Sequence, residues 1–199
     1  MKKVITMLMM SVIILTTVLL GGCGKSDPAI SKKETPYTVV ENLSADGQKD
    51  IKNYLTEKSP DVIKIKETTE GYIKAHATVD YKTTDGMGTY GYVNDEILKE
   101  LKEKNDAEET IKGFKQYKVV QELNGLKIDS ITITKGMNLA EIKGTFTFKY
   151  LEGTDDFFKK YNKEKNTLYQ QNFRVQMEKK TDVWKVSFSH IKEEDSPKK

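Results

Sequence analysis

The order of hydrophobic patterns along this chain predicts an α+β fold, with helices packed on a curved antiparallel sheet. Three observations carry that expectation. Apolar residues recur at helical spacing early in the chain, as at Ile97, Leu98 and Leu101 behind the capping residue Asn94. Period-two alternation dominates the second half, where Ile142, Phe146, Phe148 and Tyr150 fall at even spacing. Short polar turns, such as Thr181-Asp182 between 168–179 and 183–191, join those strands into antiparallel pairs.

The N-terminus is set apart from the rest. Met1-Lys2-Lys3 is short and positive, Val4 to Leu20 is almost wholly apolar, and Leu20-Gly21-Gly22-Cys23 closes the run. A positive head, an apolar core and a small-residue exit are the marks of a secretion signal. A transmembrane helix would need about 20 apolar residues; this run is slightly shorter and ends in Gly-Gly-Cys rather than in charge. Leu20-Gly21-Gly22-Cys23 resembles the lipobox of bacterial lipoproteins, with Gly21 a less usual small residue at its place. The resemblance implies cleavage after Gly22, with Leu20, Gly21 and Gly22 as the recognition residues. It also implies a thioether-linked diacylglyceryl group on Cys23, a membrane-lipid partner, and a mature chain held at the outer, extracytoplasmic face of the cell membrane. Two fatty chains give a stable anchor where one is marginal. Cys23 is the only cysteine, so the chain has no internal disulfide.

Removal of residues 1–22 leaves 177 of the 199 residues, and 31 of the 33 basic residues then face 30 acidic ones. A mature charge near +1 argues against nucleic acid as a partner, because nucleic acid selects a clustered basic face. Arg174 is the only arginine, which further weakens phosphate-backbone or base recognition of that kind. The excess of lysine over arginine, with many Asn, Ile and Tyr residues, points to an AT-rich, low-GC Gram-positive source. The length suits one domain or two very small ones.

Residues 23–42 read as the lipidated cysteine and a flexible tether, with Pro28, Pro36 and a Lys32-Lys33-Glu34 cluster. Such a tether reaches about 60 Å extended and about 25 Å as a coil. A globular domain is expected over 43–192 and a charged tail over 193–199. Within the domain, a helix is expected from Ser44 to about Glu57, with Pro60 ending it. Strands are expected over 62–67 and 72–82, since Ile73, Ala75, Ala77, Val79 and Tyr81 alternate with polar residues. Thr84-Asp85-Gly86 reads as a hairpin turn into a strand over 89–93, and Asn94 as the cap of a helix. A further helix runs from about Asp106 to Lys115. A strand, a hairpin turn at Asn124-Gly125 and a return strand to Ile133 follow, with a bulge where the apolar phase slips between Ile128 and Ile131. Strand 140–150, a polar connection over 152–166 with one helical turn at Phe157-Phe158, and the pair 168–179 and 183–191 complete the chain.

Three segments of the closing third are similar to the nuclear transport factor 2-like superfamily. They are Thr145-Phe146-Thr147-Phe148, Phe173-Arg174-Val175-Gln176-Met177, and the polar turn leading into Trp184-Lys185-Val186. The resemblance implies a cone-like sheet folded round helices, with a pocket. That superfamily holds both enzymes and plain binding modules, so the fold leaves the function open.

Chemistry is sparse. His76 falls on the polar side of its expected strand and His190 near the end of the last one; neither has a metal-ligand spacing partner. Asp155-Asp156 lacks the regular oxygen-ligand loop of a calcium site. Nucleophile signatures are absent, and Gly86-Met87-Gly88 precedes an expected strand rather than a phosphate-binding helix. No catalytic residue, metal ligand or cofactor is therefore assigned. Tyr90, Tyr92, Tyr150, Tyr161 and Tyr169 are candidates for a pocket or partner surface, though strands are rich in aromatics anyway, and Trp184 is expected in the core. The expectation is a non-enzymatic binding or assembly module of the cell envelope with an envelope protein as partner. The alternative is a small-ligand carrier or enzyme using a pocket in the curved sheet, with His76 or Asp80 at it. A solute-binding component of an importer ranks lower, because the chain is short for two lobes.

Overall fold

The computed structural model describes residues 29–43 and 51–193. Leu20, Gly21, Gly22 and Cys23, the tail over 194–199 and the first part of the expected helix from Ser44 lie outside the described residues. The fold is α+β, with four helices packed against a mixed, open, eight-stranded sheet among those residues.

Four long strands form the body of the sheet: β5 (Val120–Thr134), β6 (Leu139–Glu152), β7 (Leu168–Lys180) and β8 (Val183–Glu193), each antiparallel to the next. Their alternation puts Phe146, Phe148, Phe173, Val175, Met177 and Trp184 on one buried face. The turn between β7 and β8 places Thr181 and Asp182 at φ 48° and 65°, the paired left-handed geometry that suits tight hairpins. The polar connection after β6 holds α4 (Asp155–Tyr161), capped where Thr154 Oγ1 accepts from Phe157 N at 3.2 Å.

Strand β5 corrects the expected hairpin at Asn124-Gly125, because the chain runs straight through it. Leu123 lies opposite Phe148 and Gly125 opposite Thr147, so Asn124 is the extra residue of a bulge. The second bulge falls where the sequence places it: Ile128 faces Gly144, Ser130 faces Lys143, and Asp129 is skipped. Each bulge shifts the phase by one residue. Leu123, Leu126, Ile128, Ile131 and Ile133 therefore all reach the same face despite their uneven spacing.

The N-terminal third departs most from expectation. Part of the presumed tether lies in the sheet, as β1 (Ile30–Ser31) and β2 (Tyr37–Val40), so the domain includes residues before 43. Strand β2 pairs in parallel with the far end of β5, Tyr37 opposite Ile131 and Val40 opposite Thr134. Ile51–Leu55, expected as helix, is β3, lying between β1 and β2. Tyr37, Val39 and Val40 are buried, and burying them outweighs the chain entropy that a solvated linker would keep.

Residues 60–77, expected as two strands, form α1 (Pro60–Ala77). Pro60 opens this helix rather than closing an earlier one, since its missing N–H costs nothing in the first turn. Val62, Ile65, Thr69, Tyr72, Ile73 and Ala77 are buried at spacings of three and four, a helical face that the period-two reading of 73–81 cut across. Only Val79–Asp80 remains as a strand, β4, on the start of β5.

Thr84-Asp85-Gly86 is a bend in the loop after β4 and not the expected hairpin turn, and 89–93 forms no strand. Gly86 has φ 70°, and a side chain there would strike the backbone of Ala107. Val93 makes an isolated parallel bridge to Val186. Asn94 then caps α2 (Asp95–Glu103), its Oδ1 accepting from Ile97 N at 3.0 Å, and α3 (Asp106–Tyr117) leads into β5.

Helix α1 lies against the buried face of the long strands. Its N-terminal turn is fastened by Asp61, which accepts from Trp184 Nε1 at 2.9 Å and pairs with Lys179 Nζ at 2.9 Å. Tyr72 donates to Ser189 Oγ at 2.8 Å, and Gln121 Nε2 donates to the Ala77 carbonyl at 3.0 Å at the other end.

Candidate functional site

The two faces of the long strands have different fates. The inner face is filled: Phe146 lies 5.9 Å from Phe148 and 6.4 Å from Phe173, while Phe148 stacks on Tyr169 at 5.9 Å. With α1 packed over them, these side chains occupy the space that a cone pocket would need.

His76 and Asp80, the residues of that alternative pocket, are placed otherwise than expected. His76 is in the last turn of α1, half-buried, with its ring edge-on to Phe146 at 6.2 Å. Burial lowers its pKa to about 4, so the ring is neutral near pH 7. It is a core-edge histidine and not the solvated one that strand alternation implied. Asp80 closes a local turn, its Oδ1 accepting from Lys82 N at 2.9 Å.

The tyrosines divide into structural groups. Tyr150, Tyr161 and Tyr169 join Phe157, Phe158 and Tyr117 in an aromatic cluster where α3 and α4 meet the sheet. Tyr92 packs its ring on Gly71 of α1, where a Cβ would come within 2.7 Å of Cζ. Trp184 is buried, as expected.

The outer face carries the polar residues, and three strands bring one group together. Register sets Lys143 of β6 opposite Arg174 of β7, and Arg174 opposite His190 of β8. One row along, Thr145, Asn172 and Lys192 are aligned in the same way. A shallow, open depression of about 310 Å³ lies over these rows, with Asp129 also lining it. Its floor is the backbone of Gly144 and Phe173, whose side-chain directions belong to the inner face.

Glu141 organises this face. Its Oε2 lies 2.7 Å from Arg174 Nε and 2.5 Å from Nη2, and its Oε1 lies 3.0 Å from Lys143 Nζ. The carboxylate side chain is only 11% exposed. Burial pushes its pKa up, but the hydrogen bonds and charges of Lys143 and Arg174 outweigh that and hold it below the usual value. Asp129 pairs with Lys127 at 2.6 Å. Such an arrangement holds cations in fixed places on a flat surface. It offers no nucleophile beside a base.

Sequence reasoning singled out His190 but not Lys143, Arg174 and Lys192 as its neighbours. The alternation of β6, β7 and β8 assigns each of them to the polar face; what was missing was the register between strands, which sequence spacing alone does not supply. Among the described residues no group of three or more His, Cys, Asp and Glu is placed to hold a metal ion. Among the same residues no helix is long and apolar enough to cross a membrane.

No family model matches the chain, and no curated protein matches it. Among solved structures, the intermembrane-space region of the chloroplast protein ARC6 is similar at a TM-score of 0.41 and 14% identity, covering 65% of this chain and 95% of that one. A likeness at that level carries no argument about function.

Proposed function

We propose that this chain is an extracytoplasmic lipoprotein, anchored through Cys23, whose α+β domain is a non-enzymatic binding or assembly module of the cell envelope. The observation that carries the reading is the asymmetry of the long strands. Their inner face is filled by Phe146, Phe148, Phe173 and Trp184, and their outer face presents an ordered polar surface pinned by Glu141. A surface of this kind suits contact with a partner better than turnover of an enclosed substrate. The Leu20-Gly21-Gly22-Cys23 motif supports the anchor.

Two measurements test the two halves. Metabolic lipid labelling is expected for the wild type and absent from Cys23→Ser, which should persist as the uncleaved precursor; normal labelling of that variant removes the anchor. A photo-crosslinking side chain at position 143 is expected to trap one reproducible envelope protein, while the same group at exposed Lys52 on β3 traps none. Equal trapping at both positions, or none at either, overturns the reading that this face contacts a protein partner.

A further inference from the structure

We propose that the depression over β6, β7 and β8 is a binding site for phosphate groups, formed by Lys143, Arg174, His190 and Lys192. The inference deepens the binding-module reading and rests on the outer face being the working surface.

The argument begins with charge. Lys127, Lys143, Arg174 and Lys192 gather round two carboxylates, Asp129 and Glu141, on this part of the sheet. The ion pairs of those carboxylates go to Lys127, Lys143 and Arg174, and Lys192 adds its charge from the next row. The chain as a whole is nearly balanced, while this patch sets four cations against two carboxylates.

Placement is the second step. Arg174 is the only arginine among 199 residues, and it stands in the middle strand of the three. Glu141 grips the Nε and Nη2 side of its guanidinium, which fixes the plane and leaves the Nη1 side to meet a ligand. Neighbouring strands are about 4.8 Å apart, so the cations span about 10 Å from β6 to β8. That span exceeds one phosphate and suits a ligand with two or more phosphate groups in sequence. The open, shallow form of the depression admits a chain that continues past it on either side.

Ligands with this chemistry come as free oligophosphate or as lipid headgroups. The full-length protein in non-ionic detergent is titrated with tripolyphosphate and followed by amide NMR. Vesicles of phosphatidylglycerol, with phosphatidylcholine as control, form the second arm. Saturable shifts centred on 143, 174, 190 and 192 are expected in one arm or both. Response to tripolyphosphate identifies a soluble source, and response to phosphatidylglycerol alone identifies headgroups. The variant His190→Gln/Lys192→Gln leaves every bond of Glu141 intact and should weaken binding by about tenfold, the equivalent of one good charge-assisted contact. Lys52→Gln/Lys99→Gln removes equal lysine charge or more from distant exposed positions and should change it by less than about twofold. No saturable binding in either arm, or equal weakening by both double variants, overturns the proposal. Partner trapping at position 143 without phosphate binding would remove this site and leave the binding-module reading standing.

Discussion

His76 gives the sharpest test of how α1 sits on the sheet. Its ring meets Phe146 edge-on at 6.2 Å, and burial lowers its pKa from 6.5 to about 4. A base with a depressed folded-state pKa stays neutral in the native protein while its unfolded counterpart binds a proton. Between pH 6.5 and about 4 the unfolded state therefore holds more protons, and stability falls as the pH drops through that window. The full shift corresponds to about 2 kcal/mol lost at pH 5 and about 3 kcal/mol below pH 4. The ring is half-buried rather than enclosed, so water relieves part of this, and about 1 kcal/mol at pH 5 is the working figure. Urea unfolding of the wild type and His76→Gln at pH 7.5 and pH 5 measures it. Carboxylates such as Glu141 add their own acid sensitivity to both proteins, so the difference between the two is what counts. The wild type should lose about 1 kcal/mol more than the variant across that interval. Equal losses, or an imidazole titrating at 6.5 or above by NMR, would refute the packing of His76 against Phe146.

Gly144→Ala should destabilise by about 2–4 kcal/mol, because the new methyl would meet the Lys127 carbonyl and come within 2.5 Å of Phe173 Cζ; a urea midpoint equal to wild type would contradict the close approach of β5 to β6. Trp184→Phe keeps most of the buried ring but removes the donor to Asp61, and about 1–2 kcal/mol of stability should go with it. Hydrogen exchange in the same variant should quicken at the first turn of α1 before it does in β6. Asn94→Ala deletes the acceptor for Ile97 N and should cost about 1 kcal/mol, read as fraying of α2 by circular dichroism and exchange.

The sequence was most legible where one period runs uninterrupted between clear turns. Strands β6 and β7 and helix α2 fall in that class, and Thr181-Asp182 and Asn94 mark their ends with the expected geometry. It was least legible where local chemistry has two uses. Asn124-Gly125 suits a hairpin turn, but Leu123 and Leu126 both belong to the buried face, and a bulge satisfies that while a turn does not. Pro60 punctuates a helix at either end, and only the buried face from Val62 to Ala77 says which. Strand β2 was hidden because Tyr37–Val40 is short and its partner, Ile131–Thr134, lies far along the chain. The outer cluster was hidden for the same reason. Each of its residues was visible as a polar-face position, but Lys143, Arg174 and His190 become neighbours only once three strands are in register.

The bulge at Asp129 joins the fold to the candidate site. Without it, the phase set by Leu126 and Ile128 would carry on to Ser130 and Thr132, and Ile131 and Ile133 would point out of the core. With it, both isoleucines are buried, and Asp129 is the residue left over. The skipped position lies opposite the junction of Lys143 and Gly144, so the carboxylate reaches the edge of the depression, where it pairs with Lys127. Gly144 is what lets β5 come so close there, since any side chain would collide with the Lys127 carbonyl and the Phe173 ring. One glycine and one extra residue thus keep the inner face apolar and shape the outer surface at the same point. A substitution at Gly144 should accordingly disturb both faces together, which Lys143 or Lys192 substitutions should not do.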